Sequence, residues 1–211
     1  MKTIKSTALA LALTTMTATT ASAVVIDFGA VSHSTANSIT ISQGGYTVTA
    51  TAVGINGVGT VLANSQVIRT KNTNPNEGGL GVVSQNDTNH EIDGGVTPLS
   101  IYKDMLLLTF TTAVKIAKIS FSRVDGNDDA TFTVDGNAMG TMALSGFDWP
   151  NYLSVGFTGT VFGISALQQN DNFKIRSIQV TPIPLPPAVL LLASGIAGIC
   201  GLSRRKRARI T

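Results

Sequence analysis

"TFTVDGNAMGTMAL" (Thr131–Leu144) is the stretch that decides the fold. Phe132 and Val134 share one parity, Thr131 and Thr133 the other. That is the period of a strand with one buried face and one wet face. Asp135-Gly136 follows at once and suits a tight hairpin turn into "NAMGTMAL". The same grammar extends in both directions. "SITIS", "YTVTATAV", "TVLANSQVI", "LGVVS", "MLLLTFTT", "KISFSRV", "LSVGFTGTVFGISAL" and "FKIRSIQV" are rich in Val, Ile, Thr and Phe, with Gly, Asn and Asp between them. In "FKIRSIQV", Phe173 and Ile175 share one parity while Ile178 and Val180 share the other. One extra residue near Arg176-Ser177, a bulge, restores a continuous inward face. The run "TKNTNPNEGG" (Thr70–Gly79) has the Asn, Pro and Gly content of an exposed loop. It is no domain boundary, because similar strands continue on both sides. No long helical period occurs before Pro182. Roughly eight to ten short strands without a solenoid repeat predict an all-β fold, an antiparallel β-sandwich of jelly-roll type, over residues 24–181.

The two ends of the chain differ from this middle. Residues 1–23 begin with Lys2 and Lys5, continue through an apolar stretch around Leu9–Leu13, and close on Ala21-Ser22-Ala23. This is the three-part layout of a secretory signal peptide, cut after Ala23, that takes a chain to the Sec translocon and signal peptidase. Residues 182–211 open on a proline cluster, run through an uncharged apolar stretch at 188–203, and end in the basic tail 204–211. The stretch is short beside the roughly 17–25 residues of a bilayer span, and Ile183–Pro187 lengthens it. Arg204, Arg205, Lys206 and Arg207, with Arg209, would hold the tail on the cytoplasmic side as a basic stop. Ser194, Gly195, Ala197, Gly198 and Gly201 make the expected transmembrane helix small-sided. The domain at 24–181 would then stand outside.

Pro-rich motif, short apolar helix and Arg cluster together resemble the PEP-CTERM sorting signal in its VPLPA variant. The matching motif is Ile183-Pro184-Leu185-Pro186, followed by "AVLLLASGIAGICGL" and "RRKR". Ile183 stands where the variant has Val, and Pro187 is inserted before Ala188. The resemblance implies recognition and cleavage by an exosortase, a membrane protease of Gram-negative bacteria that make extracellular polysaccharide. It also implies an inner-membrane-anchored intermediate with a periplasmic ectodomain, released to the cell surface or the extracellular matrix. A second likeness covers Gly79–Gly136. "GLGVVS", "NHEIDGG", "LLLTF" and "RVDGNDDATFTVDG" resemble in order a common ectodomain of PEP-CTERM proteins. It implies a jelly roll similar to carbohydrate-binding modules.

Charge narrows the function classes. The whole chain carries a formal +3, but residues 24–181 hold 8 Lys and Arg against 12 Asp and Glu, a formal −4. A mildly acidic domain without basic clusters is a poor nucleic-acid binder. The single cysteine, Cys200, lies in the apolar run. The middle domain therefore has neither a disulfide nor a zinc-thiolate site.

Two acidic segments invite a metal. "SQNDTNHEIDGG" (Ser84–Gly95) holds Asp87, His90, Glu91 and Asp93, and "RVDGNDDATFTVDG" holds Asp125, Asn127, Asp128 and Asp129. Clustered hard oxygens on loops are what Ca²⁺ takes, with six to eight ligands. Asp125, Asn127 and Asp129 have the one-three-five spacing of a calcium loop, and Asp87 and Asp93 are further candidates. Ala130 stands where an EF-hand has Gly and Gly136 where it has Glu, so the loop is not an EF-hand. The commoner use of such residues is to accept local backbone N–H bonds in turns. A shared site built from both segments is the sharper alternative.

Other chemistry is thin. Trp149 is the only Trp, in "GFDWPNY" with Phe147 and Tyr152. Exposed aromatics there would stack on a sugar, and buried ones would plug one end of a sandwich. His33 and His90 are the only histidines, and no Gly-x-Ser-x-Gly elbow occurs. No catalytic residue and no cofactor site is expected. The expectation is a non-catalytic exported surface or matrix protein, with polysaccharide or calcium as the ligand. Its rivals are a secreted carbohydrate-active enzyme and a permanently anchored periplasmic protein. An enzyme would need two carboxylates about 5–10 Å apart in a cleft.

Overall fold

The computed structural model describes residues 22–30, 32–56, 61–62, 65–70, 77–83, 90–94, 102–144, 152–166, 168 and 170–183. The apolar run, the basic tail, nearly all of the expected signal peptide, Asp87, Phe147 and Trp149 lie outside these residues. Everything described is strand, turn or irregular backbone, and every strand pair is antiparallel.

Thirteen strands occur among the described residues. The N-terminal group is β1 (Val24–Asp27), β2 (Ser34–Ala36), β3 (Ser38–Gln43), β4 (Tyr46–Asn56), β5 (Val61–Leu62) and β6 (Gln66–Thr70). The central group is β7 (Gly79–Val83), β8 (Ile92–Asp93) and β9 (Tyr102–Ser122). The last group is β10 (Asp129–Val134), β11 (Asn137–Ala143), β12 (Tyr152–Ser165) and β13 (Asn172–Pro182).

β9 is the spine. Sequence alone suggests two strands, "MLLLTFTT" and "KISFSRV", but the structure has one of 21 residues. One edge of β9 pairs with β12 from Met105 to Ser120. The other edge changes partner: β4 covers Tyr102–Phe110, and β13 covers Val114–Ser122. At the change, Val114 faces Gly159 and Thr109 faces Val161, so Phe110–Ala113 stand opposite Thr160 alone. Such a bulge bends a strand and re-aims its side chains. The ladder therefore branches. One branch runs β11-β10-β12-β9-β4-β3, with β5 beside the end of β4. The other runs β12-β9-β13, with β1, β7 and β8 along the far edge of β13, and β6 and β2 beyond β7.

Both branches feed one core. Phe132 of β10 packs on Phe157 of β12 with ring centroids 5.5 Å apart. Phe110 meets Phe162 edge-on at 5.8 Å, and Phe121 meets Phe173 edge-on at 5.5 Å. Such pairs add about 0.5–1.5 kcal/mol beyond the burial of their area. Leu106, Leu108, Ile116, Ile119, Ile175 and Ile178 join the same cluster.

Local residue choice explains the turns and bulges. Val134 faces Asn137, so Asp135-Gly136 is the two-residue loop of the β10–β11 hairpin. Both residues have positive φ, 49° and 82°, as a type I′ turn requires. In β13, Ile175 faces Phe121 and Ser177 faces Ser120, which leaves Arg176 as the extra residue. The parity switch from Phe173 and Ile175 to Ile178 and Val180 has this bulge as its cause, and all four side chains are buried. Two segments depart from expectation. "TVLANSQVI" is two short strands, β5 on β4 and β6 on β7, rather than one. Ser34–Ala36, outside every expected strand, forms the edge strand β2 on β6, with His33 exposed beside it.

Candidate functional site

The acidic segments meet at the start of β13. Asp128 is fully buried, and its carboxylate accepts from the N–H of Asp125 at 2.6 Å and of Asn172 at 2.9 Å. Asp171, also fully buried, accepts from the N–H of Asp129 at 3.0 Å and of Gln168 at 2.8 Å. Asp129 accepts in turn from the Gln168 side-chain amide. Asp125 accepts from the Asn127 N–H at 3.2 Å, an Asx turn. Asp93 arrives from the other segment: it stands opposite Asn172, and Gly94 N–H donates to the Asp171 carbonyl at 3.2 Å. The structure thus gathers Asp93, Asp125, Asp128 and Asp129 at one end of the ladder, and adds Asp171.

The Asp125, Asp128 and Asp171 oxygens serve backbone donors, and Asp129 serves the Gln168 amide. Among the described residues no group of three or more His, Cys, Asp or Glu is arranged to hold a metal ion. The carboxylates close two loops, 125–129 and 168–172, onto each other. Burial pushes the Asp128 carboxyl up from its ordinary 3.8, and the nearby charges of Asp125 and Asp171 push the same way. The two backbone N–H bonds pull against them. Asp171 is the residue that sequence reading missed. Its signal was the Asn170-Asp171-Asn172 turn cluster before β13.

A second carboxylate sits at the branch point. Asp135 accepts, on one oxygen, from Thr160 N–H at 3.0 Å, Thr160 Oγ1 at 2.8 Å and Val161 N–H at 2.8 Å. Its own N–H donates to the Val161 carbonyl at 2.8 Å. The Val161 N–H, followed by the two Thr160 donors, holds this carboxyl below 3.8. The hairpin residue therefore also caps β12 just past the end of β10, beside the β9–β12 bulge.

The histidine segment is built for structure. His90 is exposed with φ of 61°. Glu91 is buried and turned to Arg123, whose Nε donates to it at 2.7 Å. Lys174 lies buried nearby; burial pushes its ammonium down from 10.5, the Arg123 charge adds to that, and Glu91 and Glu77 oppose it.

Of the aromatic stretch, Tyr152 is described. It is 47 % exposed at the start of β12, with Lys118 Nζ 5.7 Å from its ring centroid. It borders a groove of about 230 Å³ lined by Val25, Lys118, Ser120, Tyr152, Ser177 and Gln179. Among the described residues no carboxylate lines this groove.

Comparison with protein-family models, with curated proteins and with solved structures gives no match. Among the described residues no helix is long and apolar enough to cross a membrane, and the apolar run at 188–203 lies outside them.

Proposed function

We propose that this chain is an exported, non-catalytic surface or matrix protein that binds polysaccharide. Its β-strand domain is a sandwich of jelly-roll type, and its last thirty residues are a PEP-CTERM-type signal for an exosortase. The sandwich is supported by the change of partner along β9, which splits one ladder into two branches over a single core. The observation that carries the export reading is where the ladder stops. β13 ends at Pro182, and Ile183, which opens the sorting motif, is exposed. The motif thus begins where the domain is complete, a position a membrane protease can reach without unfolding a strand.

The rival reading as a carbohydrate-active enzyme needs paired carboxylates in a cleft. The groove beside Tyr152 offers hydroxyls, an amide and an ammonium instead. Polysaccharide is favoured over calcium because Asp125, Asp128 and Asp171 are already bonded to backbone N–H groups and Asp129 to the Gln168 side-chain amide.

The test is the intact mass of the protein recovered from membranes and medium of its native host. The expected species lacks residues 1–23 and everything beyond the Pro184 region. A mass that retains Arg204–Thr211 would make the tail a permanent anchor and end the sorting reading.

A further inference from the structure

The groove beside Tyr152 is formed by side-chain size on one sheet face. Ile119, Phe121 and Ile178 point into the core, so their neighbours along β9 and β13 point outward. Tyr152, Ser120 and Ser177 stand opposite one another on β12, β9 and β13. The next row is Ser154, Lys118, Gln179 and Val25, reaching β1. Ser120 and Ser177 are small and make the floor. Tyr152 at one side and Val25 at the other, 47 % and 49 % exposed, make the walls. Three strand spacings separate those walls, about 14 Å.

The charge of this face is one-sided. Lys115 lies one row further, opposite Thr158 and Thr181. Among the described residues neither Lys115 nor Lys118 forms an ion pair. The one carboxylate in these rows, Asp27, is held by Arg176 Nη2 at 3.3 Å and by Gly29 N–H at 2.9 Å. In a domain of net negative charge, the described residues of this face present two ammonium groups and no free carboxylate.

We propose that the groove binds a carboxylate-bearing polysaccharide. This rests on the reading of the domain as a polysaccharide binder and names its site and ligand class. The Tyr152 ring offers a flat apolar surface to the C–H face of a sugar. Ser120, Ser177 and Gln179 offer donors and acceptors to hydroxyls. Lys118, held over the ring, meets the carboxylate. A neutral glucan would leave that ammonium without a counter-charge, so the groove discriminates by charge.

The experiment is calorimetric titration of the signal-processed protein with polygalacturonate, with neutral dextran, and with phosphatidylglycerol vesicles. Polygalacturonate should bind, more weakly as salt rises, and dextran should bind far less. Lys118→Gln and Tyr152→Ala should each weaken binding about tenfold, while Lys118→Arg and Tyr152→Phe retain it. Both side chains are exposed, so all four variants should keep the parent's urea midpoint. The proposal is overturned if the parent does not bind polygalacturonate, if dextran binds equally, or if neither Lys118→Gln nor Tyr152→Ala matters. Lys118-dependent binding to vesicles without glycan binding would overturn it in favour of a lipid surface. The mass of the same sample reports the tail, so a failed groove and a failed sorting signal are told apart.

Discussion

Asp128 and Asp135 flank the two ends of β10 and end in opposite states. Asp128 is sealed at the start of β13, shares its two oxygens between two backbone N–H groups, and has its pKa raised. Asp135 is exposed at the branch of the ladder, gathers three donors on one oxygen, and has its pKa lowered. The number of hydrogen bonds does not explain the difference alone. Burial penalises the charge of Asp128, and two further carboxylates add to it; Asp135 keeps its water and meets only donors. An Asp in a β turn is thus a backbone cap in both places, and its surroundings decide whether the charge is welcome.

The comparison can be broken most sharply at the buried member. Asp128→Ala removes the acceptor for Asn172 and Asp125 and leaves a void at the junction of two loops. The expected loss is about 2 to 3 kcal/mol in urea unfolding, because donors there lose their partners. Asp135→Ala should cost less, since water replaces an exposed acceptor. Equal losses would mean that burial does not separate the two.

Acid should separate them by sign. The folded pKa of Asp135 lies below its unfolded 3.8, so its contribution is present above 3.8 and is lost as pH falls through the folded value. The folded pKa of Asp128 lies above 3.8, so the folded state takes up its proton first. Its contribution is least at neutral pH and grows as pH falls through the folded value toward 3.8. Across unfolding curves from about pH 7 to about pH 3, Asp135→Asn should flatten the acid loss and Asp128→Asn should steepen it. Slopes that move together would refute the assignment.

The smallest expected effect is that of calcium. Millimolar calcium should give no heat in calorimetry and no shift in the unfolding midpoint, because the loop oxygens already have donors. Heat that vanishes in Asp125→Ala would return these loops to metal binding.

Much of the fold was legible residue by residue. The Phe132–Val134 alternation, the Asp135-Gly136 turn and the Arg176 bulge all stand where parity and turn chemistry put them. These are local signals, each carried within a few residues. The continuity of β9 was not legible, because Ala113–Ala117 stands as a gap between the two expected strands until β4, β12 and β13 are in place around it. β1, β2 and β8 are two to four residues long and exist through their partners β13 and β6. The acidic site was half legible. Asp125, Asp128 and Asp129 are adjacent in sequence, whereas Asp171 joins them from more than forty residues away. The groove was hidden for the same reason: its six lining residues come from four strands.

The position of β13 has a mechanical consequence. The strand lies between β9 on one side and β1, β7 and β8 on the other, and the chain leaves the ladder at its end, Pro182. A pull on that exit runs lengthwise along β13. Its hydrogen bonds are then loaded side by side, in shear, rather than opened one after another like a zip. An edge strand such as β2 would peel under the same tension. β13 is thus the strand best suited to bear a load applied at Pro182.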